Sequence, residues 1–498
     1  MSSPEATAVQ TPPTDEPAEP SSAEEDRSHV PEELASASES ERPNTWWSRP
    51  GGGAEVTRVA APLVVSSLSW TVMTFVDRLL LKQESGAAMT AAFLSSAVWF
   101  ALVCFPLGVC AYASTFVAQY HGSGQPKRIG PAVWQAVWTA VIISPVLLLA
   151  IPAAPWLFMW GGHDAVTTDL EIRYFAVLCW GVPGMLIGQA FSCFYSGRGL
   201  TKVVMIVDAL YALLNVVLDY LWIFGHLGFP AMGIEGAAWA TVVAMSLKAL
   251  TYAALFLKPN NRSFATMSAR FDRALFGRML HFGWPSGLQT LLDVAGFTLF
   301  IFLVGRLGAT ESEATSMVFS ISSLAFMPVF GIGMAASILV GQHLGEDRDQ
   351  VAAQATWTSM HVALFYMAVV SAIFVFAPWI VLTGFFAGPG EAQDETVRAL
   401  AVVLLRFVAA YNFLDAALMI FVNAIKGAGD TRFVLWVSLI MATLLAVASW
   451  LAVEVLNLGL YGCWTLITLW VSSMGVIYML RFMQGKWRSM RVIEPAAA

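Results

Sequence analysis

Three polar residues, Asp208, Asn215 and Asp219, stand in one long apolar stretch of this sequence, and their types and spacing could bind a cation. On a helix that advances about 100° per residue, all three return to within about 20° of one direction, so they share a face. Asn215 and Asp219 are also an i, i+4 pair, whose side chains touch on a helix. Asp77, near the end of the apolar stretch 62–81, could add a third carboxylate.

These oxygen-bearing side chains suggest two kinds of chemistry. Hard cations prefer carboxylate and amide oxygens, so Asp77, Asn215 and Asp219 could bind Na⁺, with Asp208 as a further candidate. Closely spaced carboxylates that are removed from water can instead share a proton. The structural alternative is that the same groups only form hydrogen bonds between helices. The number of acids favours cation or proton binding, because one charge at the centre of a membrane helix costs roughly 2.5–3.5 kcal/mol.

A second set of polar residues lies in the C-terminal half. Asp293 and Asp415 each fall within an apolar stretch, and Tyr411 and Asn412 lie one turn before Asp415. A cavity with acidic and aromatic side chains would suit a lipophilic cation. Individual aromatic residues can equally be lipid contacts or interfacial anchors, and we interpret most of the 19 tryptophans in that way. This set predicts a substrate site or a second coupling site.

The apolar stretches that carry these residues are long enough to cross a membrane. The sequence is 57% hydrophobic and 12% charged, whereas soluble domains contain about 25% charged residues. About 20 apolar residues span a ~30 Å hydrocarbon core, and such runs are helical in lipid. We therefore predict an all-α integral membrane protein with twelve spans. They lie near 59–81, 92–120, 131–153, 174–196, 202–225, 234–257, 277–305, 314–342, 352–380, 397–425, 431–456 and 459–482.

The twelve predicted spans form a repeat of six. The stretch that starts at Pro62 is similar to one that starts 223 positions later, and other segments recur at offsets of 223 and 230. The matched positions are Gln119 with Gln342, Gly122 with Gly345, and segment 196–202 with segment 426–432. Because six is even, both copies enter the membrane from the same side. The sequence therefore predicts two homologous six-helix bundles in a parallel repeat, with a central cavity between them.

The predicted domains are an acidic N-terminal tail (1–50), an N-terminal lobe (55–257), a linker (258–276), a C-terminal lobe (277–483) and a C-terminal tail (484–498). The net charge of −7 comes from the first tail, which holds eleven acids and three arginines. Its Pro, Ser, Ala and Glu content predicts disorder.

The basic residues predict the orientation of the chain in the membrane. Loops after even-numbered spans and the C-terminal tail hold sixteen Lys and Arg, and the other loops hold five. In this count Lys426 and Arg78 are loop residues. The positive-inside rule then places both termini in the cytoplasm, for a multi-pass protein of the cytoplasmic (inner) membrane.

Several function classes receive no support. Five cysteines and seven histidines show no metal-binding spacing, and we find neither a GxSxG motif nor a phosphate-binding loop. We expect no enzymatic activity, no cofactor and no nucleic-acid partner. The expected contacts are a small-molecule substrate and membrane lipid, and the protein is expected to be a monomer.

Several segments of the chain resemble the multidrug and toxic compound extrusion (MATE) family of cation-coupled antiporters, of bacterial type, over roughly residues 55–485. The segments that carry the resemblance are FVDRLLL (75–81), FVAQYHGSG (116–124), GRGLTK and NVVLDY (within 197–220), GIEGAAWAT (233–241), WPSGLQ (284–289) and KGAGDTRF (426–433). The resemblance implies a V-shaped pair of six-helix bundles that exports organic cations in exchange for inward Na⁺ or protons, by alternating access.

The resemblance also implies roles for individual residues of the first lobe. The acid of the first family helix and the NxxxD of the fifth fall on Asp77, Asn215 and Asp219, which would form a cation-binding cluster. A threonine of the sixth helix joins that cluster in the family, and Thr241 is its match here.

In the second lobe, some family members use a glutamate in helix seven and an aspartate in helix ten. These positions fall on Asp293, which is one methylene shorter, and on Asp415. Gln289, at the end of WPSGLQ, completes the candidate second site. Because both lobes contain such carboxylates, the sequence does not choose between Na⁺ and H⁺.

Two other functions compete with antiport. A lipid-linked precursor flippase of the same superfamily should have a basic cavity for phosphates, whereas the intramembrane charges counted from the sequence are five acids and about one arginine. A membrane-embedded enzyme or a passive scaffold is the third reading, but no nucleophile–base pair or metal set is visible.

Deleting residues 2–45 is expected to leave transport unchanged, because this segment lacks the apolar content to form part of a folded core. Efflux by the full-length and truncated proteins, normalised to the amount in the membrane, would measure this. A truncated protein that inserts correctly but does not transport would contradict the prediction.

Overall fold

The computed structural model describes residues 45–159, 163–383, 392–456 and 458–494, and within these ranges the regular secondary structure is helical, without a strand. Among these residues, those from Arg49 onward form one compact unit. Most of the predicted N-terminal tail, and the last four residues of the predicted C-terminal tail, lie outside the described residues.

Among the described residues, twelve elements are long and apolar enough to cross a membrane: eleven continuous helices and one pair bent by 42°. We number them in chain order. In the first half they are α1 (Gly53–Glu84), α2 (Gly86–Gly122), α3 (Pro126–Leu148), α4 (the bent pair Ala165–Cys179 and Val182–Ser196), α5 (Thr201–Phe224) and α6 (Gly233–Phe256). In the second half they are α7 (Arg273–Gly305), α8 (Ala309–Gly345), α9 (Asp349–Phe376), α10 (Ala392–Ala428), α11 (Thr431–Trp450) and α12 (Gly459–Met483).

The prediction of twelve helical spans is confirmed, with differences at the ends of several helices and a bend of 42° within α4. Several helices run past the predicted hydrocarbon-spanning segment, so that α1 begins six residues before position 59. The predicted span 352–380 is instead broken, because α9 ends at Phe376 and a short helix starts at Pro378. Proline lacks a backbone N–H and disfavours a helical residue before it, which explains the break.

The residues just before α1 and those after α12 both contact the segment 347–351, at the start of α9. A Cβ atom on Gly51, just before α1, would lie 2.8 Å from the carbonyl oxygen of Val351. After α12, Arg491 Nη2 lies 3.0 Å from Asp347 Oδ1. The start of α1 and the residues after α12 therefore lie at one end of the helical unit, which we call the terminal end.

At the terminal end, α2 of the first half and α8 of the second half approach each other through two equivalent contacts. A Cβ atom on Gly122 of α2 would lie 1.9 Å from the carbonyl oxygen of Gln342 in α8. Likewise, a Cβ atom on Gly345 of α8 would lie 2.3 Å from the carbonyl oxygen of Gln119 in α2. Each position is the repeat counterpart of the other, so the halves meet as two copies related by a twofold axis would.

The glutamines of this contact extend the same symmetry to their side chains. Gln119 Nε2 donates to the carbonyl oxygen of Gly427 at 3.0 Å. Gln342 Nε2 donates to the carbonyl oxygen of Gly197 at 2.8 Å. Because Gly197 and Gly427 are also matched positions of the repeat, we call these four residues, with Gly122 and Gly345, the reciprocal contact.

Further close contacts between the halves lie in the terminal-end portions of their helices. A Cβ atom on Gly108 of α2 would lie 2.8 Å from Gly287 Cα of α7. A Cβ atom on Gly331 of α8 would lie 2.8 Å from the backbone nitrogen of Val64 in α1. Small residues allow such backbone approach between membrane helices. The two halves are thus packed together at the terminal end.

Replacing Gly122 by valine is expected to destabilise the protein by about 1–3 kcal/mol, because a side chain cannot fit against Gln342. The measurement is the thermal midpoint of the detergent-solubilised protein with a thiol-reactive fluorophore. All five cysteines are buried, so they react only on unfolding.

The matched control is Gly277→Val, at a helical glycine of the same end with no atom within 4 Å of its added Cβ. Equal midpoints for both variants would show that the close approach at Gly122 does not stabilise the fold.

Candidate coupling and substrate sites

The first half contains a cavity of about 270 Å³ between α1, α2, α4, α5 and α6. Its polar lining includes Asp77, Asn215 and Thr241, which the sequence assigned to one cluster. The other lining residues are mainly aromatic, apolar or small, and Arg78 and Tyr174 add a cation and a hydroxyl. We call this the N-half cavity.

Asp77 reaches the N-half cavity from α1 with one oxygen unpaired. Tyr174 of α4 donates to Asp77 Oδ2 across a long 3.5 Å contact. Asp77 Oδ1 is buried and has no hydrogen-bond partner among the described residues. The next residue, Arg78, places its guanidinium over the Phe93 ring, 4.9 Å from the centroid. A buried carboxylate oxygen without a donor is costly in an apolar site, and a bound cation or proton would compensate it.

Asn215 connects the second carboxylate to Thr241. In the amide orientation that satisfies both neighbours, Asn215 Nδ2 donates to Asp219 Oδ2 at 3.1 Å, and Oδ1 accepts from the Thr241 backbone N–H at 3.2 Å. Asn215 and Asp219 are both fully buried. Asp219 Oδ1, like Asp77 Oδ1, has no partner among the described residues.

This donor set suits a monovalent hard cation or a proton. Asp77 and Asp219 supply unpaired carboxylate oxygens, and Asn215 and Thr241 supply an amide and a hydroxyl. Oxygen ligands of this kind favour hard cations. No group of three or more His, Cys, Asp or Glu side chains that could hold a metal ion occurs in the described ranges. The site therefore lacks the ligands that transition metals prefer.

Asp208 is not part of this arrangement. Its carboxylate accepts hydrogen bonds from Ser66 of α1 and, at 3.0 Å, from Tyr252 of α6. Lys248 Nζ lies 3.3 Å from Asp208 Oδ1. None of these three partners lines the N-half cavity, so Asp208 belongs to a different set of contacts from Asp77, Asn215 and Asp219.

The second half contains a cavity of about 260 Å³, which we call the C-half cavity. Asp293 of α7 and Asp415 of α10 both line it, as do Gln289 and Tyr411. Five further aromatic residues complete much of its wall. They are Phe297, Phe319, Phe326, Trp470 and Tyr478. Two acids among aromatic rings form a site that attracts an organic cation through charge and cation–π contacts.

Asn412, which the sequence placed with this site, points elsewhere. Its Nδ2 donates to Ser371 Oγ of α9 at 3.0 Å, and the residue does not line the C-half cavity. Asn412 therefore connects α10 to α9.

Three side chains at these cavities were missed by sequence reasoning. Arg78 and Lys426 were counted as loop residues, but both lie within helices, α1 and α10. This part of the loop count was wrong, because helices extend beyond the apolar core. Arg78 could have been noticed from its position beside Asp77. Tyr174 could not, since it is 97 positions from Asp77 and no local pattern connects them.

The match to a known protein family occurs once in each half of the chain. The family model described as MatE matches residues 62–221 and residues 285–451. The two matched segments start 223 positions apart, which confirms the two homologous halves.

Two bacterial relatives match most of the chain. A probable multidrug resistance protein NorM from Pasteurella multocida is 28% identical over 385 residues, covering 76% of this chain and 82% of the relative. Multidrug resistance protein PmpM from Pseudomonas aeruginosa is 27% identical over 393 residues, covering 76% and 79%.

Solved structures share the fold. A multidrug resistance MATE family transporter of the MOP superfamily, in an outward-facing conformation, aligns with a TM-score of 0.79 at 19% identity over 88% of this chain and 96% of that one. A MOP superfamily transporter from Pyrococcus furiosus aligns with a TM-score of 0.77 at 20% identity and the same coverage. With its family model matched in both halves, this chain belongs to the multidrug and toxic compound extrusion family, MatE.

Proposed function

We propose that this protein is a secondary active antiporter that exports organic cations across the cytoplasmic membrane in exchange for Na⁺ or H⁺. The observation that carries the proposal is a pair of unpaired carboxylate oxygens at the N-half cavity. Asp77 lines the cavity, Asp219 is hydrogen-bonded to the lining residue Asn215, and each keeps a buried oxygen without a donor among the described residues. A bound cation or proton satisfies such oxygens. Its release leaves them unpaired in an apolar site, which costs free energy.

The C-half cavity supplies the site for the exported molecule. Its two carboxylates and aromatic lining match a lipophilic cation, and the relatives are named as multidrug resistance proteins. A phosphate-bearing lipid precursor would be repelled there, because among the described residues Asp293 and Asp415 are the only charged side chains in the lining. This argues against a flippase.

Alternating access follows from the way the halves meet. They are packed at the terminal end through close main-chain approach and through side-chain hydrogen bonds such as those of Gln119 and Gln342, and such contacts can break without unfolding a helix. In the proposed cycle, Na⁺ or H⁺ binding in the N-half cavity and substrate binding in the C-half cavity favour different arrangements of the halves.

The proposal also covers the orientation of the protein in the membrane, its oligomeric state and the role of the ion. The sixteen-to-five excess of Lys and Arg supports cytoplasmic termini, so the terminal end would face the cytoplasm. We propose a monomeric transporter without a cofactor, in which Na⁺ or H⁺ is a transported ion.

Asp77→Asn and Asp219→Asn are each expected to abolish coupled efflux, because an amide can neither bind a proton at neutral pH nor provide a charged ligand to Na⁺. The measurement is efflux of ethidium, a fluorescent organic cation, from proteoliposomes under an imposed Na⁺ gradient and then under a proton gradient. The gradient that drives efflux by the wild-type protein identifies the coupling ion.

The matched control is Asp347→Asn, the same chemical change at a side chain that is 88% exposed. It should transport like the wild type, because exposed ion pairs contribute little. Wild-type efflux by both cavity variants would remove Asp77 and Asp219 from the mechanism.

A further inference from the structure

Lys426 places a cation beside the C-half cavity. It lies in the last turn of α10, within the KGAGDTRF segment, and is half-buried. Its Nζ donates to Gln289 Oε1 of α7 at 2.9 Å. Gln289 Nε2 in turn donates to the carboxylate of Asp293. A lysine, a glutamine and an aspartate thus form one continuous hydrogen-bonded chain that ends at the cavity wall.

The orientation of the Gln289 amide determines which charge is favoured at each end of this hydrogen-bonded chain. The amide oxygen faces the ammonium of Lys426, and the amide nitrogen faces the carboxylate of Asp293. This alignment favours a charged lysine at one end and an ionised aspartate at the other. Gln289 is only 7% exposed, so bulk water screens the pair poorly.

The position of Lys426 is fixed by the first half of the protein. Tyr112 of α2 donates its hydroxyl hydrogen to the carbonyl oxygen of Lys426 at 2.9 Å. The adjacent Gly427 accepts from Gln119 in the reciprocal contact. The main chain that carries the ammonium is therefore held in place while the halves are packed at the terminal end.

These contacts determine the net charge at the C-half cavity. When both carboxyl groups are ionised, Asp293 and Asp415 give the lining a charge of −2. Lys426, connected through Gln289, reduces the total to −1. A bound molecule with one positive charge then completes neutrality, whereas a molecule with two would leave an uncompensated charge in a poorly solvated site.

We propose that Lys426 is a specificity-determining residue, which makes the C-half cavity select singly charged organic cations over doubly charged ones. The inference rests on the proposed function, since it assumes that this cavity binds the exported cation. In the alternative, the lysine only ties α10 to α7.

The test compares two probes that share a phenanthridinium ring system but differ in charge, ethidium (+1) and propidium (+2). Their equilibrium dissociation constants would be measured by fluorescence with purified full-length protein in neutral detergent at fixed salt and pH. The wild type should prefer ethidium. Lys426→Met should shift the affinity ratio toward propidium by about tenfold or more, because it restores a charge of −2. Lys426→Arg, which keeps the charge, should retain the wild-type ratio.

A compensating variant separates charge from structure. Asp293→Asn combined with Lys426→Met returns the cavity to −1 and should restore the ethidium preference, although the chain of hydrogen bonds has lost its lysine. If Lys426→Met fails to fold, Asp415→Asn gives the converse test. It changes the cavity charge from −1 to zero and should weaken propidium binding more than ethidium binding.

The outcomes are distinct. An unchanged ratio in Lys426→Met, or equal shifts in Lys426→Met and Lys426→Arg, would overturn the selectivity role while leaving organic cation binding intact. A ratio that shifts in Lys426→Met but is not restored in the double variant would assign the effect to structure and also overturn it. A wild type that binds neither probe would contradict the proposed function together with this inference.

Discussion

The close approach of two backbones at Gly122 and Gly345 determines how the halves of this protein meet. Neither glycine has a side chain, so the carbonyl oxygen of a glutamine from the opposite half lies where Cβ would be. The two glutamine side chains then donate to main-chain carbonyl groups of Gly197 and Gly427, across the same interface. Main-chain contacts of this type are short and directional, and they fix the register of α2 against α8.

The repeat preserves this contact but not the chemistry of the cavities. At the offset of 223, Asp77 corresponds to Phe300, and Asp293 corresponds to Trp70. The backbone scaffold is thus used twice, while the acids of α1 and α7 lie at different depths. Because the two cavities hold different donor sets, they can bind different species.

Local periodicity in the sequence was enough to predict the helices and the Asn215–Asp219 pair, since residues four apart on a helix must meet. It was not enough for Asp208. Asp208 and Asp219 lie on the same helical face, but they are eleven positions apart. This spacing corresponds to about 16 Å along the helix axis, which separates the two side chains. Lys426 was misassigned for a related reason. Only tertiary packing of α10 on α7 brings its side chain to Gln289.

The position of Lys426 connects the charge of the C-half cavity to the packing of the two halves at the terminal end. Its carbonyl oxygen and that of Gly427 accept hydrogen bonds from Tyr112 and Gln119 of the first half. In the proposed cycle, separation of the halves at the terminal end would break both bonds, and water would have to replace them. The ammonium would then lie on a segment that is no longer held, in a better solvated environment where it screens Asp293 differently. The proposal therefore predicts that the affinity of the C-half cavity for a cation differs between the packed and separated states. An exporter needs that difference, because a ligand bound equally well in both states shifts neither.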